Sequence, residues 1–119
     1  MEAKVFKSEE IEWFEAPGHF GGFSKLLINP DNSDTKHFDF RISSYQPKGY
    51  CELHSHEHAE NIYYILKGRG IVELDGSKHL VEPNVVIFIP PNVKHRIANT
   101  GYEDLIFIVV ASSPADMPK

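Results

Sequence analysis

The sequence predicts an all-β domain, either a sandwich or a small barrel. Three observations carry this. No segment sustains a helical period, short runs alternate apolar with polar or are rich in β-branched and aromatic residues, and turn residues recur about every ten positions. The chain of 119 residues is 41% hydrophobic and 24% charged, which suits a single globular domain.

The elements follow in order. Phe38, Phe40 and Ile42 alternate with Asp39, Arg41 and Ser43, the period-two pattern of a half-buried strand. On that pattern the apolar set faces the core and Arg41 faces solvent. Asn61 to Leu66 is a second strand, closed by Lys67-Gly68. Ile71 to Leu74 and Ser77 to Val81 flank Asp75-Gly76, a two-residue hairpin turn in which both positions need positive φ. Val85 to Ile89 lies between Pro83-Asn84 and Pro90-Pro91-Asn92, and Leu105 to Val110 follows the turn Asn99-Thr100-Gly101. Asn29 to Asp34 reads as a surface loop. The expected organisation is one domain: an extension over 1–36 that packs on the barrel or on a second copy, a core over 37–111, and a mobile tail over 112–119. Phe6, Ile11, Trp13, Phe14, Phe20 and Phe23 make the extension unusually apolar and suggest a homodimer.

Twelve basic against seventeen acidic side chains give a net charge of −5, with no basic run. That argues against nucleic-acid and anionic-membrane partners. A single cysteine excludes an internal disulfide framework and a CxxC metal or redox site. The first residues lack the apolar core of a signal peptide, and Leu105 to Ala111 is too short to span a bilayer, so a cytoplasmic location is expected.

Seven histidines stand out. His54 and His56, separated by one residue on a strand, point to the same face and can share one metal ion. His95 follows the turn Pro91 to Lys94, which can bring it in from a neighbouring strand. Neutral imidazoles suit several divalent transition metals, so residue type alone leaves Fe, Mn, Ni and Zn open.

Gly49 to His56 followed by Glu60 to Gly68 resembles the first motif of the cupin superfamily, and Asn84 to His95, ending at Asn99, resembles the second. The resemblance covers about half the chain. It implies a double-stranded β-helix, or jelly-roll, barrel with a central metal, in which His54, His56 and His95 match three ligand positions. Asn84 and Asn92 stand where the family usually has glycine, and asparagine tolerates the left-handed conformation such turns need. The family's fourth ligand is usually a glutamate. That position is Asn61 here, with Glu60 one residue earlier, on the opposite face of a regular strand. Three arrangements stay open: Asn61 binds through its amide oxygen, Glu60 swings in through a bulge, or water completes a three-histidine site.

The function this implies is a small metalloenzyme acting on a carboxylate, enediol or sugar-like substrate. Dioxygenase chemistry at iron is favoured, because three neutral ligands leave positions free. Decarboxylase and isomerase or epimerase activities are alternatives, as is a non-catalytic module that binds or senses a small ligand. His58 and Glu60 are the candidates for a general base, although His58 reads slightly better as a solvated loop residue. Tyr63 shares a face with Asn61 and is a candidate pocket wall, as are Tyr45 and Phe40. Arg41 is a candidate carboxylate clamp if it reaches the pocket. Cys51 reads as a small packing residue, and His19, His37 and His79 as surface or packing residues.

Overall fold

The computed structural model describes residues 1–118; Lys119, the last residue of the expected tail, lies outside the described residues. Eight strands run in the order β1 (His19–Ile28), β2 (Asp39–Cys51), β3 (Glu60–Lys67), β4 (Gly70–Leu74), β5 (Ser77–Val81), β6 (Val86–Ile89), β7 (His95–Asn99) and β8 (Leu105–Ser112). They pair antiparallel in the order β5-β4-β7-β2-β8-β3-β6, with β1 also on β2, and curl into a jelly-roll barrel. β2 joins the two halves. Its first part pairs with β8 from Asp39↔Ala111 to Tyr45↔Leu105, and its end reaches β7 at Tyr50↔Ala98.

Local chemistry fixes the turns. Asp75 and Gly76 both have positive φ, 47° and 86°, and join β4 to β5. Asn84 and Asn92 take φ of 72° and 65° in the turns before β6 and β7. The segment expected as a plain loop forms a one-turn helix, α1 (Pro30–Ser33). Asn29 accepts backbone N–H bonds from Asp31 and Asn32, the Asn32 amide oxygen accepts from Asn29 N, and Pro30 opens the turn with its φ already set.

The core is apolar where both barrel halves meet. Ile65, Val72, Ile97, Leu105 and Phe107 are buried there with Ile87 and Ile89. The expected facing of β2 is inverted. Asp39, Arg41, Ser43 and Tyr45 point inward and are buried, while Phe38 is exposed and Phe40 and Ile42 are only partly covered on the outer face. Alternation says that a strand has two different faces, not which one is enclosed. Here the interior tolerates polar groups because they pair with one another. Arg41 Nε and Nη2 donate to the two carboxylate oxygens of Asp39 at 2.7 and 2.8 Å, and the Ser24 and Ser43 hydroxyls share a bond of 2.8 Å.

Candidate metal centre

His54 and His56 sit on an irregular connection between β2 and β3, not on a continuous strand. A two-residue bridge holds it: His54 N donates to His95 O at 3.0 Å and His95 N donates to His54 O at 2.7 Å. Asn92 N donates to His56 O at 2.8 Å, so the positive-φ turn before β7 also pins His56. The three rings converge, with centroids 4.1 Å apart for His54–His95, 5.0 Å for His54–His56 and 5.3 Å for His56–His95. One nitrogen from each ring lies within 4.8 Å of the others, a spacing that could hold one metal ion.

Two rings are oriented from behind. His54 Nδ1 lies 2.8 Å from Glu52 O and His95 Nδ1 lies 2.9 Å from Val93 O. A carbonyl only accepts, so in the neutral rings Nδ1 carries the proton and Nε2 presents its lone pair. His95 Nε2 and His56 Nε2 are buried without a hydrogen-bond partner, and so are both amide atoms of Asn61. Burial, with smaller contributions from the two neighbouring imidazoles, pulls His95 down to about 4. Burial and the nearby His54 lower His56 as well. Burial acts the same way on His54, but the Cys51 thiol and the Glu52 carbonyl outweigh it and leave His54 raised.

His54, His56 and Asn61 line a narrow cavity with about 30 Å³ free, walled also by Arg41, Tyr45, Cys51, Tyr63, Phe107 and Val109 among others. A wider outer vestibule of about 390 Å³ opens beyond it, with Glu52, Ser55 and Asp116 on its rim. The C-terminal segment lies across the mouth. The Asp116 carboxylate accepts from His58 N at 2.6 Å and Ala59 N at 2.7 Å, and Pro118 O accepts from Arg41 Nη2 at 3.0 Å. Those two backbone donors hold the Asp116 carboxyl below its usual value. A more spacious groove of about 580 Å³ beside Arg69, Leu80 and Tyr102 is remote from the imidazoles and contains none of the unpartnered buried atoms.

Of the candidate residues, His54, His56, Asn61, Tyr63 and Arg41 line this cavity, and His95 joins His54 and His56 in the imidazole cluster beside it. Arg41 is there because β2 faces inward, contrary to the solvated position expected for it. His58 and Glu60 lie outside the cluster. The His58 side chain is exposed, 3.8 Å from Glu57, and Glu60 points outward at the start of β3, whose pairing with β8 stays regular from Glu60 to Ile65. Phe40, a candidate wall residue, lies on the outer face. His19 was missed. It pairs with Cys51 in the β1–β2 register, meets Tyr45 edge-on at 6.1 Å and lines the cavity. No local signal marked it, because only the pairing of β1 with β2 carries it to the site.

A family model described as Cupin domain matches residues 41–111. The oxalate-binding protein of Thermotoga maritima is 40% identical over 110 residues, covering 89% of this chain and 91% of that protein. Glucose-6-phosphate isomerase of Thermococcus onnurineus is 40% identical over 117 residues, covering 94% of this chain and 56% of the isomerase. A crystal structure from Thermotoga maritima, described as a predicted oxalate decarboxylase, superimposes with a TM-score of 0.81 at 30% identity over 92% of this chain and 99% of that one. This chain spans about half the length of several curated relatives, 48–56% for the three that include the isomerase.

Proposed function

Because this chain belongs to the cupin domain family, we propose that it binds one divalent transition metal through His54, His56 and His95, with Asn61 as fourth ligand, and acts there on a small dicarboxylate of the oxalate type. The observation that carries this is the set of unpartnered buried atoms: the Nε2 of His56 and His95 and the Asn61 amide, with His56 and Asn61 lining one cavity and His95 clustered with His56. Each orphaned buried polar group costs roughly 1–3 kcal/mol, and a cation with its ligand would relieve that cost at one point. The donor set, imidazole nitrogen and amide oxygen, fits Fe, Mn, Ni or Zn.

The absence of a carboxylate from the donor set supports an anionic ligand. Neutral donors leave the cation its full charge. Bound there, the metal would supply Lewis-acid polarisation of a carboxylate oxygen. The chain's own residues do the rest. Glu52 O and Val93 O hold two rings in the ligating tautomer, and Tyr63, Phe107 and Val109 keep the inner cavity apolar on one side. Arg41 stands in the wall with two of its nitrogens engaged by the Asp39 carboxylate, so the pair adds little net charge there.

The name of the oxalate-binding relative, alike over nearly its whole length, favours a dicarboxylate over a sugar phosphate. The narrow inner space also suits a small ligand. Binding without turnover is the alternative within this reading, and dioxygen chemistry would be the redox branch if the metal is iron.

The test is metal content after purification without added metal, followed by oxalate titration of loaded and stripped protein. Stoichiometric metal that is lost in His56→Ala, with oxalate bound only by the loaded form, is the expected result. Protein that takes up no metal ends the metal assignment, and equal oxalate binding with and without metal ends the ligand assignment. Release of carbon dioxide from oxalate distinguishes an enzyme from a binding module.

A further inference from the structure

The inner cavity and the vestibule have His19, His54, His56 and Pro118 in common, so these residues form the partition between them. Arg41, Asn61 and Tyr63 lie on the inner side, and Glu52, Ser55 and Asp116 on the outer side. Most of the inner wall is held by the barrel. Its residues sit on β1, β2, β3 and β8, or, for His54 and His56, on the connection pinned by His95 and Asn92. Of the described lining residues, only Met117 and Pro118 lie beyond the last strand.

Chain ends fray unless they are tied down. This one is tied by contacts that can be undone separately. Pro114 is buried and opens a single 3-10 turn, Pro114–Asp116, and Met117 N donates to Pro114 O at 3.2 Å. On the outer side the Asp116 carboxylate accepts from His58 N and Ala59 N. Met117 packs against the barrel core. On the inner side Arg41 Nη2 gives one hydrogen to Asp39 Oδ2 and the other to Pro118 O. The free space behind this segment, about 30 Å³, is close to the share of one water in the liquid. A dicarboxylate with four oxygens does not fit there.

We propose that residues 114–118 are a gate between the vestibule and the inner cavity. Closed, it limits the cavity to guests the size of a water or an ion. Open, swung outward from the buried Pro114, it joins the two spaces and frees the second hydrogen of Arg41 Nη2 for an oxygen of the ligand. Segment and ligand then compete, and the closed population lowers the apparent affinity in proportion. The competition rests on the dicarboxylate reading above, whereas the gate rests on the two cavities and the ties between them.

Cys51 reports the gate without any ligand. It lines the inner cavity, is 2% exposed and is the one cysteine of the chain. Full-length, metal-free protein is treated with methyl methanethiosulfonate, and the methylthio adduct is followed by mass spectrometry. Asp116→Ala and Met117→Ala, made separately, should each raise the rate at least about fivefold, because each undoes a different tie of one local opening. Glu103→Ala, remote from the segment, should leave it unchanged. Low urea should barely alter the wild-type rate, since a local opening exposes little surface. Circular dichroism identifies a variant that fails to fold, in which case the other decides. An unchanged rate in a folded variant overturns the gate, and so does a rate that climbs with urea as steeply as global unfolding. Oxalate titration of metal-loaded protein tests the competition. Met117→Ala changes no charge and should tighten binding about threefold or more; equal or weaker binding overturns the competition. Oxalate binding to neither protein ends the ligand reading alone, and the thiol rates still decide the gate.

Discussion

His54 and His95 exchange both backbone hydrogen bonds, at 3.0 and 2.7 Å, and their rings stand 4.1 Å apart on one side of that bridge. A reciprocal pair of this kind fixes two side chains as cross-strand neighbours. It joins the first histidine motif to the second through the main chain, so the convergence of the imidazoles does not depend on side-chain packing alone. His56 enters the same cluster through its carbonyl, held by Asn92 N.

Asn61 is the sharpest test of what the cluster is for. Both its amide atoms are buried without a partner. Asn61→Leu removes two orphaned polar atoms at similar volume. The metal-free protein should therefore gain stability, by about 1–3 kcal/mol, while its metal affinity falls. Urea midpoints of chelator-treated protein, beside metal titrations, separate the two effects. A less stable metal-free variant would mean that Asn61 has a partner in solution.

The Arg41–Asp39 pair carries a different expectation. It is almost completely buried and doubly bonded. Removing one partner leaves a lone buried charge. Asp39→Ala or Arg41→Ala should cost about 3–5 kcal/mol, whereas replacing both by apolar residues of similar size should cost far less. Denaturant unfolding of the two single variants and the double Asp39→Leu/Arg41→Met variant checks this. Equal destabilisation in all three would show that packing, not charge, dominates.

Stability of the metal-free protein should depend on pH through His95. Burial lowers this ring from 6.5 to about 4. Between those values the unfolded chain takes up a proton that the folded chain refuses. The contribution is therefore present above pH 6.5 and is lost progressively as pH falls toward about 4. His56, also lowered, acts in the same direction. His54 is raised, so its contribution is present below pH 6.5 and lost as pH climbs past its folded value. Urea midpoints between pH 7 and 4 should fall less steeply in His95→Asn than in the wild type. Parallel curves would contradict the assignment.

Asp116 should control the mouth. Its carboxylate ties the C-terminal segment to His58 N and Ala59 N. Asp116→Ala should speed amide exchange at those two positions and leave the barrel strands protected. Unchanged exchange at both would mean that the segment is held by other contacts.

The sequence by itself determined six of the eight strands, the hairpin turns and the histidine motif, because each rests on neighbours in the chain, whereas β1 and β7 carry no such local mark. Period two marks β2, a β-branched and aromatic run marks β3, positive-φ residues mark the turns at Asp75-Gly76, Asn84 and Asn92, and one-residue spacing marks His54 and His56. Only the tertiary structure decided which face of β2 is enclosed, that His19 and Arg41 reach the cavity, and that Asp116 and Pro118 close over it. These depend on long-range strand pairing. A strand's alternation is symmetric about its own axis, and only the partner sheet curling over one side breaks that symmetry.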